Sequence, residues 1–380
     1  MKMVRKTIIL TSILSKVIGK PHTNLLTRTM ATNQDDVLFE TINNAGVITL
    51  NRPKALNSLN LSMVDKLLPT LEEWQSQKSF VLVKGVGEKS FCAGGDVRAI
   101  AEAGLRGEKL GHVFFRKEYT MNGLIGTYKI PYIAFIDGIV MGGGVGISIH
   151  GHYRICTERT LYAMPETAIG LFPDVGGSYV LPRMEGKLGY FLALTGTRLK
   201  GSDVLRAGIA THYIESKDLK NLESNLLKCK DRKCIDETLN SMCVKNIKEF
   251  SLKPNMDKIN KCFAGKTMEE VMSLLEQDGS DFAKSTIKTL SKMSPTSMKV
   301  SLKLLQMGAS LNLQECLRNE YRVAVACLVN HDFFEGVRAL LIDKDKNPKW
   351  KPPTLKEVSN ELVDSFFATL PENEELRHKL

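Results

Sequence analysis

An α/β fold with a helical C-terminal region is what these 380 residues predict, on three observations. A pattern of apolar strand, glycine turn and helix occurs twice, at Gly94-Gly95 and at Gly142-Gly143-Gly144. From about Lys217 onward, strand signals give way to amphipathic, basic segments of helical period. The apolar content of 43% is enough, at this length, to bury a substantial core in one large domain with an appendage or in two domains. The chain therefore divides into residues 1–34, a leader; residues 35–216, the α/β core; and residues 217–380, a helical region.

The elements follow in order. Val37 to Ile42 and Val47 to Leu50 are short β-rich runs around Asn43-Asn44-Ala45-Gly46, a hairpin signal. Arg52-Pro53 breaks the second strand, and Asn57 to Trp74 carries Leu59, Met63, Leu67, Leu68 and Leu71 at helical spacing. Phe80 to Val83 reads as a buried strand, Gly85 to Lys89 as a turn, and Phe91-Cys92-Ala93-Gly94-Gly95-Asp96 as the opening of a helix through Ala101. Ile133 to Ile136 is a further buried strand, and a helix begins at the glycines that follow it. Arg154 to Thr157 and Leu161 to Ala163 add short strands before the irregular loop Pro165 to Gly177, rich in glycine, proline and carboxylates. Beyond Lys217 the helical segments are Met256 to Phe263, Thr267 to Leu275 with a capping box at Thr267 and Glu270, Asp281 to Lys292, Ser297 to Met307, Asn312 to Val329 and Phe334 to Arg338. Lys344 to Lys351 reads as a polar tail containing Trp350.

The chemistry centres on Gly142, Gly143, Gly144 and Gly146. A helix start exposes N–H groups with no intrahelical partner, the helix dipole adds partial positive charge, and glycine lets a ligand atom approach the main chain. A turn that merely permits close packing is the alternative. Two nucleotide readings fail, because no G-x-G-x-x-G or G-x-x-x-x-G-K-[ST] fits this stretch. What remains is a set of donors able to hold a single oxyanion, and two such turns could each aim one N–H at the same point.

The formal charge of +10 is compatible with nucleic acid, a membrane surface or an anionic small ligand. Part of it lies in the leader, where Lys2, Arg5, Lys6, Lys16, Lys20 and Arg28 precede the first acid, Asp35. An acid-free leader of this kind resembles a mitochondrial transit peptide, and it lacks an apolar run long enough to span a bilayer. Removing it brings the chain nearer neutrality, which weakens the nucleic-acid reading. The eight cysteines form no C-x-x-C pair, and His150 and His152 are spaced for different helix faces, so no metal site is expected and a reducing compartment is.

The ordered combination of Thr49-Leu50-Asn51-Arg52-Pro53-Lys54-Ala55-Leu56-Asn57, Phe91 to Asp96, Gly142-Gly143-Gly144 and Pro165-Glu166 resembles the crotonase, or enoyl-CoA hydratase/isomerase, superfamily from about Val37 to Ile214, with an echo at Phe334 to Asp343. The resemblance implies a crotonase-like spiral of ββα units with a helical C-terminal region, assembled as a homo-oligomer, and an acyl-CoA thioester whose carbonyl oxygen sits between the amides of Gly95 and Gly143. Met164 to Gly177 and Ser294-Pro295-Thr296-Ser297 are most similar to a branch that hydrolyses β-hydroxyacyl-CoA thioesters in mitochondrial valine breakdown.

By that resemblance Glu166 is catalytic and Asp174 catalytic or substrate-holding, while Glu118 contacts the acyl group together with Gly143. Hydratases of the superfamily carry a second glutamate three residues after the oxyanion-hole glycine, and here that position is Gly146, which puts hydration in doubt. Each carboxylate has a plainer reading: Glu166 as an exposed loop acid, Asp174 as a turn residue after Pro173, and Glu118 as a helix-face charge beside Arg116 and Lys117. Lys54, Lys344 and Lys351 are candidates for the coenzyme A phosphates. No separate cofactor, metal, membrane or nucleic-acid partner is expected, coenzyme A being part of the substrate. The expected compartment is the mitochondrial matrix, with a faint peroxisomal signal in His378-Lys379-Leu380. The competing readings are a hydratase or isomerase, and an RNA-binding member of the same superfamily.

Overall fold

The structure, a computed structural model, describes residues 35–377. The leader and the terminal His378-Lys379-Leu380 lie outside the described residues. β1 (Val37–Ile42) and β2 (Ala45–Leu50) pair antiparallel, Ile42 opposite Ala45. Only Asn43 and Asn44 form the turn, both at positive φ, so the second strand starts two residues earlier than its β-branched run implies.

The remaining strands are β3 (Phe80–Gly85), β4 (Ser90–Cys92), β5 (Tyr132–Ile136), β6 (Ile139–Met141), β7 (Tyr153–Cys156), β8 (Leu161–Ala163), β9 (Leu199–Lys200) and β10 (His212–Tyr213). They form two sheets, six strands in the order β1-β2-β3-β5-β7-β10 and four in the order β4-β6-β8-β9. Beyond the opening hairpin the larger sheet is parallel, and in the smaller one only β8 and β9 run antiparallel.

Both faces of the larger sheet are buried, as parallel strands require. Ile48, Val81, Val83, Ala134 and Ile136 point into the main core, while Val47, Phe80, Leu82, Ile133, Phe135 and Ile155 point the other way. Leu222, Leu226, Ile235 and Leu239, from helices Leu219–Leu226 and Arg232–Met242, cover that second face. The first two helices after Lys217 thus complete the core of the preceding sheet. A disulfide joins Cys229, in the turn between them, to Cys234 in the first turn of the second helix, where the chain reversal brings together two thiols that the spacing left unpaired.

Four helices position the site: α1 (Leu61–Gln77), α2 (Val97–Leu105), α3 (Leu110–Gly126) and α4 (Gly143–Ile149). The start of α1 differs from the periodic expectation at Asn57. Leu56 and Asn57 have positive φ, and Asn60 caps the helix by accepting the Met63 N–H at 2.8 Å. Leu59 instead bridges to Gly95, its N–H donating to the Gly94 carbonyl while its own carbonyl accepts the Asp96 N–H, each at 2.8 Å.

In the C-terminal region the expected helices appear as Met256–Cys262, Met268–Asp278, Asp281–Leu290, Pro295–Gly308, Leu313–Cys327 and His331–Val337. Thr267 caps as expected, but the Glu270 carboxylate accepts from the Lys266 N–H, so the reciprocal box is not closed there; Asn312 and Glu315 close one instead. Trp350 is buried and its indole N–H donates to the Lys292 carbonyl, so the stretch around it is no free polar tail. No helix among the described residues is long and apolar enough to cross a membrane.

Candidate active site

The two glycine turns meet. A Cβ built on Gly143 would lie 3.2 Å from the Gly95 nitrogen, so the two backbone amides are neighbours. Gly143 is the first residue of α4, following Gly142 at φ 45°, and Gly95 immediately precedes Asp96, the cap of α2. Among the described residues neither N–H is taken by a carbonyl. The Arg52 to Asn57 motif buttresses this turn: Arg52 pairs with Asp96 at 3.1 Å and donates to the Ser58 carbonyl, and the Asn57 amide donates to the Ser90 and Val86 carbonyls.

Along α4, residues 142, 143 and 146 share one face, and each meets a polar side chain. The Glu166 Oε1 lies 2.9 Å from a Cβ built on Gly142, Glu118 Oε1 occupies the space of one on Gly143, and Asn122 Nδ2 lies 2.7 Å from one on Gly146. Glu118 Oε1, Glu166 Oε2 and both amide atoms of Asn122 are buried without a hydrogen-bond partner. Most buried polar groups are paired, so unpaired ones gathered on one bare backbone face mark a site made to receive something.

Glu118 is not the helix-face charge its neighbours imply. Arg116 turns outward, stacking on Tyr321 at 4.8 Å, and Lys117 pairs with Asp65 at 2.5 Å, while the Glu118 carboxyl turns inward and is buried. Glu166 lies in a 3-10 turn after Pro165 and is likewise buried rather than exposed.

Asp174 is more than a turn residue. It accepts a 2.7 Å hydrogen bond from the buried Tyr119 hydroxyl. Val175 beside it has φ 53°, a strained value for a β-branched residue, and two side chains hold the loop there. The partly buried His150 imidazole, pushed down to about 4 chiefly by its loss of solvent, is neutral, so its Nε2–H donates to the Val175 carbonyl at 2.7 Å. The Glu320 carboxylate, far along the sequence, accepts the Gly176 and Ser178 N–H groups at 2.7 and 2.9 Å and the Ser178 hydroxyl.

The electrostatics follow from this crowding. Burial, then the charges of Asp174 and Glu166, push the Glu118 carboxyl well above its ordinary range. Burial and the Asp174 charge do the same to Glu166. Asp174, raised by burial but steadied by the Tyr119 hydroxyl, sits lowest, at about 6. Asp174 therefore ionises most readily, and its charge holds protons on the other two.

A thioester carbonyl oxygen set between the two amides would have its developing negative charge met by two N–H donors, with Glu166 beside it. Gly146 explains why no second glutamate is present. A Cβ there would lie 2.6 Å from Val175 Cβ, and nothing larger than glycine fits.

Of the residues singled out from sequence, Gly95, Gly143, Glu118, Glu166 and Asp174 come together. Lys54, Lys344 and Lys351 are exposed, Lys54 on the short turn Pro53–Ala55 and the other two in the C-terminal stretch. Sequence reading missed Tyr119, Asn122 and Glu320. The four-residue spacing of Glu118 and Asn122 on one helix was an available signal for Asn122; nothing local marks Glu320.

The enoyl-CoA hydratase/isomerase family model matches residues 45–367. This chain belongs to the enoyl-CoA hydratase/isomerase family. Among its relatives, it is 56% identical over 334 residues to the mitochondrial 3-hydroxyisobutyryl-CoA hydrolase of Xenopus laevis, covering 86% of this chain and 87% of that one. It is 52% identical over 344 residues to the human protein of that name, covering 88% and 89%. Among solved structures, a crystal structure of a carnitinyl-CoA dehydratase from Mycobacterium thermoresistibile matches with a TM-score of 0.85 at 36% identity, covering 90% of this chain and 99% of that one. An enoyl-CoA hydratase from Rhodobacter sphaeroides gives 0.83 at 35%, covering 90% and 100%.

Proposed function

We propose that this chain hydrolyses 3-hydroxyisobutyryl-CoA, and with it 3-hydroxypropionyl-CoA, to the free hydroxy acid and coenzyme A. Its likeness over most of its length to relatives named for that hydrolysis supports the substrate. The observation that carries the reaction type is the pairing of a closed position 146 with an Asp174 fixed beside Glu166: the acid that hydration would use has no room, and a different carboxylate is built in.

In this mechanism the N–H groups of Gly95 and Gly143 donate to the thioester oxygen. Either Glu166 takes a proton from the water that attacks the carbonyl carbon and passes it to the departing thiolate as the carbon–sulfur bond breaks, or Glu166 attacks the carbon itself, the thiolate leaves and takes a proton from solvent, and a water then cleaves the resulting anhydride to give the hydroxy acid and restore the Glu166 carboxylate. Glu118 abuts the acyl group and Asp174 orients water or substrate. Coenzyme A enters as part of the substrate, and the reaction calls on no further cofactor. The relatives' names support a mitochondrial enzyme; its place in the matrix and in valine breakdown is part of the proposal.

The test is thiol release from 3-hydroxyisobutyryl-, 3-hydroxypropionyl-, acetyl- and crotonyl-CoA. The two hydroxyacyl thioesters should release thiol fastest. Hydration of crotonyl-CoA outpacing thiol release from every thioester would overturn the proposal.

A further inference from the structure

We propose that Asn122 is the residue that reads the β-hydroxyl of the acyl group, a role that rests on the hydrolase reading above. It is fully buried on α3, one turn beyond Glu118, and neither its Nδ2 nor its Oδ1 meets a partner. An asparagine kept for the fold would be hydrogen-bonded, since a buried amide without partners costs stability. Its Nδ2 lies 2.7 Å from where a Cβ on Gly146 would stand, so the amide closes on the bare backbone face beside Gly143.

The placement fits the substrate. Gly143, whose N–H addresses the thioester oxygen, and Gly146 are three residues apart on α4, or about 4.5 Å along the helix axis. That is the order of the distance from a thioester carbonyl to an oxygen on its β-carbon. Unlike the carboxyls beside it, the amide offers one group that donates and one that accepts whatever the pH, which is what a hydroxyl needs. Val175, the residue next to Asp174, packs against the same glycine, which ties the Asn122 amide to the Asp174 loop. Asp174 is then left to the water.

Asn122→Leu tests this, being nearly isosteric and unable to hydrogen-bond. Binding is read by competitive inhibition with two non-hydrolysable thioether analogues of the substrate, one with the β-hydroxyl and one without. The unsubstituted enzyme should prefer the hydroxylated analogue, and the variant should lose about tenfold to a hundredfold on it and little on the other. Because the amide is unpaired, the unliganded variant should melt no lower than the parent, an outcome a structural asparagine would not give. Equal losses on both analogues, or a lowered melting temperature with the preference intact, would overturn the role. Should Asn122→Leu not fold, Asn122→Ala is read in the same way. Failure of the hydrolase reading looks different: the unsubstituted enzyme would then neither prefer nor hydrolyse hydroxyacyl thioesters.

Discussion

Glu166 works under a constraint set by its neighbours. Because it must be ionised to act as base or nucleophile, and burial and the Asp174 charge hold its proton on, kcat/KM should climb with pH through a range above that of an ordinary carboxylate. Asp174→Asn removes the repelling charge, so the rising limb should move to lower pH; a pH–rate profile of thiol release in which it stays put would refute the coupling. Glu166→Gln should lower turnover on every thioester by about 10²- to 10⁴-fold, read at substrate saturation. At this scale the legible residues were those set in a short motif, Gly95, Gly143, Glu166 and Asp174, with Glu118 added by resemblance alone. Tyr119 and Glu320 escaped notice because their work depends on partners 55 and 144 positions away.

The glycine-faced helix α4 is the element on which the chemistry is hung, and its first residue allows a clean comparison. Any side chain at 143 intrudes on Glu118, but only proline also removes the N–H, in a first-turn position where its ring is tolerated. Gly143→Pro should therefore be slower in turnover than Gly143→Ala by a further 10² to 10³ or so, the typical cost of one lost oxyanion donor. Comparable rates for the two folded variants would remove Gly143 from the oxyanion hole. Restoring an acid at 146 should fail. Gly146→Glu forces a Cβ into Val175 and Asn122, so chemical denaturation should show a loss of at least about 1–3 kcal/mol, and crotonyl-CoA hydration should not appear. Element existence was readable from strand and helix periods, whereas boundaries such as the start of α1 were set by caps and left-handed residues that apolar spacing does not register.

For the whole molecule, the buried Glu320 links stability to acidity. Its carboxyl rises from an ordinary value near 4.5 to about 8, burial outweighing its hydrogen bonds. Below 4.5 both folded and unfolded chains hold the proton and the fold keeps this group's full contribution; as pH climbs through 8 the contribution is lost. The melting temperature should fall between about pH 5 and 8, Glu320 adding to the fall from Glu118, Glu166 and Asp174 a slope of at most about 1.4 kcal/mol per pH unit, and Glu320→Gln should make it shallower by that share. A melting curve series with the same slope in the variant would show that Glu320 is not the group responsible.

Glu374 and Glu375 brace the helix that carries three of the site's residues. Arg116, on the helix that carries Glu118, Tyr119 and Asn122, donates to the carbonyls of Glu374 and Glu375, and the Glu375 carboxylate pairs with Arg322 at 2.8 Å, with Leu376 buried beside them. Without them α3 loses its outer brace, so a chain clipped ahead of Glu374 would keep every catalytic side chain and hold three of the site's residues on a loosened support.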